Sequence, residues 1–105
     1  MSKSRTTTKK LPLVYPGEVL ADALREAGVA PNRAAIDMGI PANRLHGIIH
    51  GTRAITVDTA MRLGRYFGTS AEVWMNLQVN YELSRAKEEL AERVAAEVRP
   101  LRMTA

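Results

Sequence analysis

Asn43, Arg44, His46 and His50 lie within a span of eight residues, and each side chain can exchange hydrogen bonds with another molecule. Asparagine matches the N6/N7 edge of adenine, and arginine matches O6/N7 of guanine; both edges are open in the major groove of DNA. Histidine offers ring donors, neutral or cationic. His46 and His50 stand four apart, on one face if the segment is helical, and that spacing could also hold zinc. Glutamate does not follow His46, cysteine is absent, and no third ligand is evident, so neither a metal nor any other cofactor is expected. Ala42 opens the same segment and is grouped with its DNA-facing residues. Arg53 and Thr56 stand where a further helix should begin. A hydroxyl and a guanidinium beside a helix N-terminus make a phosphate site, although Thr56 can equally be an ordinary cap. Arg33, early in another helix, is a further phosphate candidate. No serine or cysteine nucleophile stands with a positioned histidine, and no glycine loop could cradle phosphate, so an enzyme is not expected. The acidic cluster Glu88, Glu89 and Glu92 reads as a solvated helix face.

These residues need elements to hold them. Ala35 precedes Gly39 by four residues, Leu45 follows it by six, and Ile48 lies three further on. That spacing suits two short helices joined by a sharp turn. Ala35 permits close approach, Gly39 can take positive φ, and Leu45 and Ile48 dock the second helix on the core. The polar face of that helix is then free for a DNA groove. The pattern predicts a first helix from Pro16 to Gly28, with Val19, Leu20, Ala23, Leu24 and Ala27 inward. It predicts helices over Pro31–Met38, about Ala42–His50, and Val57–Phe67, the last capped by Thr56. Ser70 caps a long fifth helix ended by Pro100. Val73, Trp74, Leu77, Gln78 and Tyr81 are expected to face the core. Leu83, Ala86, Leu90, Val94 and Val98 form a stripe too narrow for a core, suited to docking.

The chain has 105 residues, 46% of them hydrophobic, enough for one folded domain. Net charge is +4, from 15 basic and 11 acidic residues. Residues 1–10 carry Lys3, Arg5, Lys9 and Lys10 and no acid; residues 28–68 carry five arginines against Asp37 and Asp58. From Ser70 onward the acids slightly outnumber the bases. The positive excess thus falls on the tail and the two-helix unit, a footprint that attracts phosphate. The N-terminus has no apolar run behind its charges and does not read as a signal peptide. No stretch approaches the roughly 18 apolar residues that span a membrane. The expected division is a basic flexible tail over 1–13, a DNA-binding domain over 14–84 and a helical extension over 85–105.

The order of helices resembles the lambda-repressor-like helix-turn-helix domain: all-α, five helices, with the C-terminal helix extended. Three phrases sharpen the likeness: Tyr15-Pro-Gly-Glu-Val-Leu20, His50-Gly-Thr-Arg-Ala-Ile-Thr56, and Phe67-Gly-Thr-Ser-Ala-Glu-Val-Trp-Met-Asn-Leu-Gln78. Together they resemble the HigA-type antitoxins of bacterial toxin–antitoxin modules, over about residues 14–84. The resemblance implies a cytoplasmic, nucleoid-associated homodimer that binds a palindromic double-stranded operator, represses its own module and neutralises a cognate ribonuclease toxin. A stand-alone repressor, or an interaction module without operator binding, is the alternative. The chain departs from the family at Ala30 and Pro41, where Ser or Thr usually caps the second and third helices. Gly47 within the reading helix costs about 1 kcal/mol relative to alanine and could admit close approach to DNA.

Overall fold

A computed structural model describes residues 14–102 of the chain; the expected basic tail, residues 1–13, lies outside the described residues. Five helices follow one another: α1 (Pro16–Ala27), α2 (Pro31–Met38), α3 (Ala42–His50), α4 (Val57–Phe67) and α5 (Ala71–Glu97). Their ends follow local chemistry. α1 and α2 each begin on a proline, whose missing N–H is no loss in a first turn. Thr56 Oγ1 accepts the Thr59 N–H at the start of α4, and Ser70 Oγ accepts the Val73 N–H at the start of α5. Gly39 adopts φ 72°, and the amides of Gly39 and Ile40 return to the carbonyls of Ile36 and Ala35, closing α2 sharply.

The core lies where α1, α3, α4 and the first turns of α5 meet. Leu20, Leu24, Leu45, Ile48, Leu63 and Trp74 fill it, with Ala34 and Ala35 bringing α2 close. α1 crosses α3 with backbone almost on backbone. A Cβ on Gly17 would collide with the carbonyl oxygens of Ile48 and Ile49. α4 approaches the start of α5 in the same way at Gly64, where a Cβ would stand 2.9 Å from the Ala71 amide nitrogen. The Trp74 indole N–H donates to Thr69 Oγ1 at 3.0 Å, so its ring is buried with its polar atom satisfied.

Four expectations about packing need correction. Ala27 is exposed at the last residue of α1, beyond Leu24, the final buried side chain of that helix. Val73 is 48% exposed; α5 docks through Trp74 and Gln78, which turns Val73 outward. Tyr81 is only half-buried, edge-on to Tyr15 with ring centroids 5.5 Å apart. Val98 does not share the α5 stripe: the helix ends at Glu97, and Val98 is extended at φ −101° and ψ 119°. Pro100 disfavours helical backbone at Arg99, and the helix gives out a residue before that. From Lys87 to Arg102 every side chain is exposed, so the second half of α5 projects beyond the domain.

Candidate nucleic-acid interface

α2, the turn at Gly39 and α3 form the expected two-helix unit. Ala42, His46 and His50 recur at four-residue steps along α3, with Asn43 beside them in the first turn. Ala42, Asn43 and His50 are exposed; His46 is half-buried. The His46 Nε2–H donates to Asn32 Oδ1 at 3.0 Å, which ties the middle of α3 to the start of α2. The His50 Nδ1–H donates to the His46 carbonyl at 2.9 Å, which leaves Nε2 as its outward atom. The two rings stack, 16° from parallel with centroids 6.2 Å apart. Both are thereby oriented by the protein. Among the described residues no group of three or more His, Asp or Glu side chains could hold a metal ion.

The unit is braced from α4. Arg62 Nη1 donates to the Met38 carbonyl at 2.9 Å, satisfying an orphan carbonyl at the end of α2. Its Nε meets Asp58, which also receives Arg44 Nη1 at 3.0 Å. One carboxylate therefore joins the turn of the unit to the reading helix. These two guanidinium groups, Arg62 foremost, hold the Asp58 carboxyl below its ordinary value. On α2, Asp37 accepts the Tyr66 hydroxyl at 2.7 Å and Arg33 Nε at 3.0 Å. The phenol, then Arg33, lowers the Asp37 carboxyl; in return the carboxylate raises Tyr66. Arg33 remains largely exposed beyond this contact.

Beyond α3 the chain turns at Gly51, and Arg53 folds back over the helix. A Cβ on Gly47 would stand 2.8 Å from Arg53 Cγ and Cδ. Gly47 is buried beneath that stem, so it does not bring helix backbone to a ligand as expected; it makes room for Arg53. Thr56 caps α4, and its hydroxyl also reaches Thr59 Oγ1 at 3.3 Å.

No family model matches the chain. Its structure is close to that of the antitoxin HigA of Pseudomonas aeruginosa, solved with the higBA promoter. The two are 38% identical, with a TM-score of 0.81 over 87% of this chain and 100% of that one. An addiction module antidote protein of the HigA family from Coxiella burnetii is also 38% identical, with a TM-score of 0.80 and the same coverage. Virulence-associated protein I of Dichelobacter nodosus is 36% identical over 81 residues, 76% of this chain and 75% of that protein. The chain belongs to the HigA family of antitoxins. Relatives include an HTH-type transcriptional regulator of Escherichia coli, and they are antitoxins and regulators rather than enzymes.

Two helix starts at the interface of this HigA-family chain lack a side-chain cap. Ala30 and Pro41 stand in the cap positions of α2 and α3, and neither helix has a side-chain cap bond. The first N–H groups of both helices are left for an external acceptor or water. The residues that orient the candidate side chains were also not visible as such in the sequence. Asn32, Asp58, Arg62 and Gln78 each act across more than ten residues of chain. Two of them carried a signal: Asp58 as an acid in a first helical turn, and Gln78 as a core-facing residue of the third family phrase; neither signal names Arg44 or Ile55 as the partner.

Proposed function

We propose that this HigA-family chain binds a palindromic operator as a homodimer, represses the module that encodes it, and neutralises a cognate ribonuclease toxin. The observation that carries the reading is the outer face of α3. Asn43, His46 and His50 stand there beside Ala42, flanked by Arg33 at the start of α2 and Arg53 and Thr56 beyond α3. Amide and imidazole groups suit base edges; arginines and uncapped helix N-termini suit phosphates. Arg44 serves both ends, since its pairing with Asp58 leaves guanidinium donors over for DNA. The Pseudomonas relative solved with promoter DNA supports the same reading.

A twofold dimer would place two α3 helices in successive major grooves, about 34 Å apart. The projecting half of α5, with Leu83, Leu90 and Val94 exposed, supplies an apolar stripe for the second subunit. The test combines footprinting of the chain on DNA upstream of its own reading frame with co-purification from cells that also express the adjacent frame. A paired footprint whose affinity falls steeply with salt, and a stoichiometric complex with a ribonuclease that it silences, are expected. Salt-independent binding, or a single half-site, overturns the operator reading. A stable footprint without any co-purifying toxin leaves a stand-alone repressor in its place.

A further inference from the structure

Gln78 closes the third of the phrases that carry the family likeness, yet it lies far along the chain from every DNA candidate. Its side chain is one of two buried polar ones among the described residues, with 8% of its surface exposed. Its Oε1 accepts the Ile55 N–H at 2.9 Å, and its Nε2 donates to Glu82 Oε2 at 2.9 Å. Ile55 is buried, 2% exposed, between Arg53 and Thr56. The loop that carries these two candidates is thus held at one buried amide by α5. A buried N–H needs a partner, and an apolar side chain at position 78 would leave this one without. Glu82 fixes which way the amide points, because a carboxylate accepts only from the NH₂ end.

We propose that Gln78 is a positioning residue of the DNA interface. Through Ile55 it sets where Arg53 and Thr56 meet the phosphate backbone, and Glu82 holds it in register. α5 therefore orients DNA-contacting side chains as well as offering an apolar stripe to a partner. This inference rests on the operator reading of the Arg53 loop.

The test is operator affinity against salt for Gln78→Met, Arg53→Ala, the double variant, and the swap of Gln78→Glu with Glu82→Gln. The swap keeps both hydrogen bonds, with the acceptor for Ile55 now a carboxylate oxygen. Gln78→Met should lower operator affinity about tenfold and reduce the salt slope by about one, as loss of one phosphate contact does. Arg53→Ala should then cost little more in the Gln78→Met background, because both remove the same contact. The swap should restore most of the affinity and the salt slope. Fully additive losses, or an unchanged salt slope in a Gln78→Met chain of wild-type helicity, overturn the positioning role. So does a swap that binds no better than Gln78→Met. If Arg53→Ala alone leaves operator binding unchanged, the phosphate reading of the loop fails instead.

Discussion

At the scale of single residues, the proposed interface divides into side chains suited to base edges and side chains suited to the backbone alone. Asn43 is exposed in the first turn of α3, free of the braces that hold Arg44 and His46. Arg53 lies on the loop beyond it. Asn43→Ala is therefore expected to relax discrimination between operator and random DNA by roughly 1–3 kcal/mol, whereas Arg53→Ala should weaken both alike. Competition binding on both DNAs checks this, and equal losses for the two variants would sink the division of labour. Arg44→Ala should also lower discrimination more than Arg53→Ala does. Acid provides a second residue-scale test. Asp37 and Asp58 sit below their ordinary value of 3.8. Folded values below the unfolded one mean that their stabilising effect is complete above about 3.8 and is lost as pH falls through the lower folded values. Both are surface groups, so the effect is modest and screened by salt. Between about pH 5 and pH 2.5 the thermal midpoint of the wild type should fall more than that of the Asp37→Asn, Asp58→Asn variant. Parallel pH profiles would show that these pairs do not stabilise the helix-turn-helix.

At the scale of elements, the reading helix is held by contact with α1 and by the α4 brace. The α1 contact is backbone against backbone, with no flexible side chain to give way. A Cβ at residue 17 would stand 2.6 Å from the Ile49 carbonyl oxygen and closer still to that of Ile48. Gly17→Ala must push α1 away from α3, and overpacking of this kind costs about 1–3 kcal/mol. Denaturant titration should show the loss, with operator affinity falling as the reading helix shifts. An unchanged midpoint would mean that α1 can slide along α3 without penalty. The α4 brace differs in kind, because Arg62 and Asp58 are exposed, with Arg62 bonded to the Met38 carbonyl at the turn and Asp58 to Arg44 of α3. It sets direction more than stability.

At the scale of the whole molecule, α5 is the element that the domain does not use up. Its 27 residues make a rod of about 40 Å, half of it unsupported. Leu83, Leu90 and Val94 stay exposed along that rod. Burying each aliphatic side chain contributes roughly 1.5–3 kcal/mol, which favours a second subunit along the stripe. Leu90→Glu with Val94→Glu should give a folded monomer with greatly reduced operator affinity, since each half-site must then be bound alone. Sedimentation and operator titration on the same sample check the outcome. A double variant that remains dimeric and binds DNA fully would assign the stripe to the toxin instead.

The sequence by itself determined the five helices, the helix-turn-helix and every helix bound except the end of α5, because prolines, glycines and hydroxyl caps act within a turn of the residues they govern. It also marked the side chains proposed here to meet DNA: Ala42, His46 and His50 recur at four-residue steps with Asn43 beside them, while Leu45 and Ile48 are buried. Helical periodicity was a weaker guide at the edges of the core: Ala27 and Val73 fit the apolar pattern but lie outside the contact of their helices. Only the tertiary structure decided what orients the interface. Asn32 on His46, Asp58 on Arg44, Arg62 on the Met38 carbonyl and Gln78 on the Ile55 amide join residues 14 to 24 positions apart. No local rule pairs such groups. They meet because α2 folds back on α3 at Gly39 and because α4 and α5, in close approach at Gly64, pack against the unit through the buried core; that packing is a property of the whole fold.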